Sequence, residues 1–138
     1  MIAALILPEA LRAQLAAEAR AALPNECCGL IEGAHDGEPR GVSALHPTKN
    51  LSTAPDRFEI DPVEHIRVLR ALRGTGRGII GCYHSHPNGR AEPSERDRAS
   101  AFEDGFVWLI QPVTETGAGT PAAFVIRNGA FRPLVLTA

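Results

Sequence analysis

The chain has 138 residues, 44% hydrophobic and 22% charged, enough for one domain over residues 1–138 with a real core. That excludes a two-domain enzyme, a disordered tail and a fibrous rod. The net charge is −2, from 14 basic against 16 acidic residues, and the arginines are scattered, so neither nucleic acid nor an anionic membrane is an expected partner. Cys27, Cys28 and Cys82 form no C-x-x-C pair and no even-numbered framework, which points to a reducing, cytoplasmic setting.

The apolar run from Ile2 to Leu7 is far shorter than the roughly 20 residues a membrane span needs and reads as a first strand. After Pro8, which suits a first helical turn, Leu11, Leu15, Ala19 and Ala22 lay one apolar stripe on a helix that ends before Pro24. Cys27 to Ile31 is a short apolar run bounded by turn-formers, a buried strand with which Val42 to Leu45 can pair. From His46 to Asp56 the composition predicts a loop, followed by a brief strand over 57–60. Asp61-Pro62-Val63-Glu64 combines a cap acceptor, a proline at the first position and a glutamate three after the cap. The helix it opens carries Val63, Ile66, Leu69 and Leu72 as its expected core stripe, with Gly74 as its stop.

Ile79 to Tyr83 reads as a central strand running into His84. Ser94-x-x-Asp97 opens a helix to about Glu103, Phe106 to Ile110 is a buried strand, and Ala122–Ile126 with Phe131–Leu136 form a hairpin over Asn128-Gly129. Helices interleaved with strands predict an α/β class, a single domain with a central mixed β-sheet flanked by helices. The string Gly76-x-Gly78-x-x-Gly81 resembles a dinucleotide fingerprint only as text. The fingerprint follows a strand and opens a helix, whereas these glycines lead into a strand.

The chemistry concentrates in His84-Ser85-His86-Pro87, Ser94 and Asp97. In an extended chain residues two apart share a side, so two imidazoles can face one point. Between them and Asp97 lies a stretch dense in turn-formers, which lets the chain reverse and return a carboxylate to the strand end. Zinc takes two such nitrogens and a carboxylate, leaving a fourth position for water. The plain alternative for Asp97 is the second half of a capping box with Ser94, and that for the histidines is a polar strand end. Glu26, at the start of the Cys27–Ile31 strand, is a candidate proton carrier. Its alternative is an ordinary solvated glutamate.

Glu26, His84-x-His86-Pro87, Ser94 and Asp97 resemble the signature of the JAMM (MPN-plus) metalloprotease family at the family's own spacing. Glu26-Cys27-Cys28-Gly29-Leu30 is similar to a strand of JAMM deubiquitinases, and Asn50 through Arg57-Phe58-Glu59-Ile60-Asp61-Pro62 to a segment of small bacterial members. The resemblance covers roughly residues 3 to 136. It implies a cytidine-deaminase-like α/β core with Zn²⁺ on His84, His86 and Asp97. It further implies Glu26 as general base and then acid, and Ser94 as a donor to the oxyanion. The implied substrate is a ubiquitin-like or sulfur-carrier protein with a C-terminal Gly-Gly-type tail, cut at an amide bond, in one branch with release of cysteine. The stretch 46–60 is a candidate clamp for that tail, held as an added strand. Two other classes compete: a metal-free scaffold of the kind metal-less MPN relatives form, and a thiol hydrolase using Cys28 or Cys82 with His84.

Overall fold

The computed structural model describes residues 2–138, so Met1 of the expected 1–138 domain lies outside the described residues. The element order is β1 (Ala4–Ile6), α1 (Glu9–Ala22), β2 (Cys28–Gly33), β3 (Arg40–Thr48), α2 (Pro62–Ala71), β4 (Gly78–His86), α3 (Glu95–Ala99), β5 (Val107–Thr114), β6 (Gly117–Ala118), β7 (Ala122–Arg127) and β8 (Ala130–Thr137). The strands form one mixed sheet in the order β4-β2-β3-β1-β8-β7-β5-β6, and β4 also pairs with β5. This last contact closes the sheet on itself, a barrel-like outcome that alternation patterns do not reveal.

Sidedness decides the site. Tyr83, Leu109 and Ile31 face the main core, where Leu15 of α1 packs. Cys82 and Trp108 face the opposite side, with Phe58 and Ile60 against them. On β4 the alternation is reset by a bulge. Glu32 pairs with Ile79 and Ile31 with Gly81, so Ile80 has no partner across the ladder. Ile80 turns into the main core while Ile79 packs under α2. One extra residue flips every later side chain to the other face, and the bulge thereby sends Cys82, His84 and His86 to the α2 side.

Several expectations change in detail. β3 runs through His46 to Thr48 because it is paired with β2 along that length, so the predicted loop starts later. The predicted strand at 57–60 is reduced to an isolated bridge between Asn50 and Ile60. The third helix stops at Ala99 rather than near Glu103. Helix α2 starts where expected, with Asp61 accepting from the Val63 N–H. Of its expected stripe Leu72 is buried, together with Val68, while Val63, Ile66 and Leu69 are exposed, Val63 at 74%. Ile60 packs into both smaller clusters just before the helix begins. The closing hairpin forms as expected: Asn128 and Gly129 take φ of 52° and 74°, the left-handed pair a tight two-residue turn requires.

Candidate metal centre

Gly78 and Gly81 lie within β4, not at the helix start that a dinucleotide fingerprint opens. A Cβ on Gly81 would lie 1.9 Å from the Val107 carbonyl oxygen, and one on Gly29 would lie 2.3 Å from the Tyr83 ring. Gly81 lets β4 approach β5, and Gly29 lets the Tyr83 ring cross β2. Tyr83 then donates from its hydroxyl to Glu18 of α1 at 2.7 Å.

At the end of β4, Cys28 of β2 pairs with His84. Ser85, between the two histidines, fixes the neighbouring chain twice. Its Oγ accepts from the Cys27 N–H at 2.8 Å, and its N–H donates to the Cys27 carbonyl at 3.1 Å. Glu26 is thereby held beside the histidines. His84 is fully buried, and His86, Asp97 and Glu26 are each at most 5% exposed.

The Nε2 atoms of His84 and His86 lie 2.9 Å apart, and Asp97 Oδ2 lies 3.2 and 3.1 Å from them. Each of the three residues offers one ligand atom, all within 4.8 Å of one another. His86 Nδ1 donates to the Arg90 carbonyl at 3.0 Å, which leaves Nε2 as the free lone pair. Two imidazole nitrogens and a carboxylate, buried and convergent, are the donor set zinc takes, and the residues fit that ion.

The electrostatics follow from burial and pairing. Burial pulls the His84 pKa down against the pull of Asp97, keeping the imidazole neutral as a ligand must be. Burial also acts against protonation of His86, but the Asp97 carboxylate outweighs it and raises the value. Burial alone would raise Asp97, yet its bonds with both histidines and the Ser94 N–H hold it well below the usual carboxylate range. Glu26 moves the other way, to about 8. Burial is the largest cause and His86 opposes it, while Asp97 and Asp56 add to it. Its Oε1 is buried without a hydrogen-bond partner among the described residues. A cleft of about 530 Å³ is lined by Glu26, His86, Ser94, Asp56 and Arg96 among others.

Thiol chemistry has no support here. Cys28 and Cys82 are 1% and 4% exposed, and burial raises both thiol pKa values, away from the reactive thiolate.

Residue types alone did not single out Asn50, Phe58 or Trp108. Asn50 donates to the Glu26 carbonyl at 2.9 Å and to the Arg57 carbonyl at 3.3 Å, and accepts from the Ser52 and Glu59 N–H groups, both at 2.9 Å. One amide thus ties the segment around Phe58 to the strand that carries Glu26. Its signal was present as a lone asparagine in a polar stretch, which by itself reads as a turn-former.

Fold and site together define a class, mixed-sheet domains that carry a buried histidine–histidine–aspartate cluster able to hold a metal ion. The profile described as prokaryotic homologs of the JAB domain matches residues 8–127, and the chain belongs to that family. It is 33% identical over 131 residues to a probable TtuB-protein conjugate cleaving protease of Thermus thermophilus, covering 94% of this chain and 78% of that one. It is 40% identical over 88 residues to a desampylase of Haloferax volcanii, a match covering 63% of this chain and 62% of that relative, just under two thirds of its length. The fold is similar to a solution structure of a protein from Desulfitobacterium hafniense, at a TM-score of 0.81 and 32% identity over 99% of this chain and 91% of that one.

Proposed function

We propose that the chain is a zinc-dependent hydrolase, working as one unit over residues 1–138, that cleaves an amide bond at the C-terminal tail of a ubiquitin-like or sulfur-carrier protein. A relative with a name that refers to protein conjugates, the probable TtuB-protein conjugate cleaving protease, supports that substrate class. His84, His86 and Asp97 would hold the ion. Bound there, zinc supplies a Lewis acid for the amide carbonyl and acidifies water to near neutral pH.

The chain's own groups supply the rest. Glu26 has the observation that carries the reading: a buried carboxyl oxygen with no partner in the cleft that also holds His86 and Ser94. A carboxyl so placed would take a proton from attacking water and return it to the leaving amine. Ser94 Oγ already accepts from the Asp97 N–H, so its hydroxyl hydrogen is the part left to donate to negative charge developing on the carbonyl oxygen. The 46–60 segment, pinned by Asn50, borders the cleft through Pro55 and Asp56 and is the surface on which an extended tail would lie. A cytoplasmic setting goes with this reading and with three free cysteines. Among the described residues no helix is long and apolar enough to cross a membrane.

The test is incubation of the purified chain with a panel of carrier-protein conjugates, read by mass spectrometry. Cleavage after the carrier's C-terminus, abolished by a zinc chelator and unaffected by thiol alkylation, is the expected result. A chain that binds such conjugates without cutting them, with or without zinc, would make it a scaffold instead.

A further inference from the structure

The two histidines of the triad are supported differently. His86 donates its Nδ1–H to the Arg90 carbonyl, the usual way a ligating imidazole is held in orientation. His84 is fully buried, and its Nδ1 has no hydrogen-bond partner among the described residues. Aromatic rings surround it in place of an acceptor. Phe58 stacks on its face at 4.4 Å between centroids with 20° between planes. Trp108 stands perpendicular to it, at 5.6 Å and 88°. Phe58 and Trp108 are themselves 5.8 Å apart at 71°. With the stack as the short side of this triangle, Trp108 stands beside both rings and not beyond either face. His84 is therefore closed in on one face and along an edge.

We propose that Phe58 is a positioning residue for the metal site, fixing the plane of His84 by stacking where a hydrogen-bond acceptor would ordinarily do so. This rests on His84 being a metal ligand, as argued above. Phe58 belongs to the segment that lines the cleft through Pro55 and Asp56. The backbone on both sides of Phe58 is gripped by the Asn50 amide, at the Arg57 carbonyl and the Glu59 N–H. The ring is thus mounted on fixed backbone, and the element that meets the substrate is mechanically joined to a ligand of the ion. A ligand without a hydrogen-bonded Nδ1 is also less basic than one with it, which makes the two imidazoles unequal donors.

The experiment compares the unsubstituted chain with Phe58→Leu, Phe58→Met and Phe58→Tyr. It reads zinc affinity by competition with a chromophoric chelator and the visible absorption of the cobalt(II)-loaded protein. Leu and Met remove the ring at similar bulk, and the tyrosine retains it. The ring also walls a cavity of about 370 Å³, which gives room for the added hydroxyl. The expected result is a loss of zinc affinity of about 10- to 100-fold in the Leu and Met variants, with an altered cobalt spectrum. Both properties should return close to the unsubstituted chain's in Phe58→Tyr. A purely packing role would lower thermal stability in all variants without moving the spectrum. Leu or Met variants that remain folded by circular dichroism with unchanged zinc affinity and cobalt spectrum overturn the proposal. If the leucine variant does not fold, the methionine variant carries the comparison. An unsubstituted chain that takes up neither metal overturns instead the metal reading on which the proposal stands.

Discussion

Ser94 and Asp97 hold each other in both directions: the Ser94 Oγ accepts from the Asp97 N–H at 3.1 Å, and Asp97 Oδ2 accepts from the Ser94 N–H at 2.9 Å. That same Oδ2 lies within 3.2 Å of both imidazole Nε2 atoms. The capping box and the metal triad, two competing interpretations of one aspartate, share an atom. The helix start is what aims the carboxylate, and an aspartate, shorter than the usual glutamate, stays close enough to the strand end to meet the histidines.

The shared atom allows the two roles to be separated at Asp97. Asparagine retains an oxygen that can accept from the Ser94 N–H, so Asp97→Asn should keep the helix start and lose little stability. A neutral amide is a poor partner for a cation, and zinc content should fall steeply along with activity. Asp97→Ala should lose the metal and, in addition, about 1 kcal/mol of stability from the broken cap. Metal analysis and denaturant midpoints on both variants check this. An asparagine variant that keeps stoichiometric zinc would remove Asp97 from the ligand set.

Ser94→Ala tests the other half. Removal of the hydroxyl costs the cap about 1 kcal/mol but takes no ligand away, so zinc should be retained. If the hydroxyl also donates to the reacting carbonyl, kcat should drop by about 10²- to 10³-fold with KM little changed. A variant with the stability loss alone and near-normal kcat would confine Ser94 to the helix.

The convergence of His84, His86 and Asp97 was legible because their spacing is local. His84 and His86 share a strand face, and Ser94-x-x-Asp97 is a helix-start signal within four residues. The contribution of Phe58 was not legible. It depends on the bulge at Ile80, which turns His84 toward α2, and on Asn50 gripping backbone across a long loop. Periodicity misassigned part of α2. Val63, Ile66 and Leu69 continue the spacing of Leu72 on paper, yet of the four only Leu72 is buried, beside Val68. Sheet closure through β4 and β5 likewise rests on a pairing between distant segments.

Glu26 should leave a pH signature in the metal-stripped chain. Its carboxyl has a pKa near 8 in the folded protein against an ordinary 4.5, so between those values the folded state keeps a proton that the unfolded state has released. Its contribution to stability is therefore complete below about pH 4.5 and is lost as pH rises through 8, by an amount on the order of a few kcal/mol. Glutamine carries no titratable proton. Glu26→Gln should match the parent near pH 4.5 and exceed it at pH 8.5 in chelator-treated denaturant unfolding, while retaining zinc and losing turnover when metal is restored. Equal stability of the two proteins at pH 8.5 would contradict the buried, unpartnered placement of this carboxyl.

Gly81 tests the closure that brings the metal centre together. Its φ lies outside the left-handed region, so backbone freedom is not the reason for glycine there. The reason is the Val107 carbonyl, 1.9 Å from where a Cβ would stand, a backbone atom that cannot swing aside. Gly81 and Val107 begin the parallel register that continues through His84 with Ile110 and His86 with Pro112. Gly81→Ala must push β4 and β5 apart at the first rung, at a cost of about 1–3 kcal/mol if the strands can yield and more if they cannot. Because both histidines lie farther along the same ladder, zinc affinity should fall together with thermal stability. Gly41→Ala is the control: a Cβ there meets nothing within 4 Å, and it should leave zinc affinity unchanged. A Gly81→Ala protein as stable and as tight for zinc as that control would show that the β4–β5 approach is looser than this packing requires.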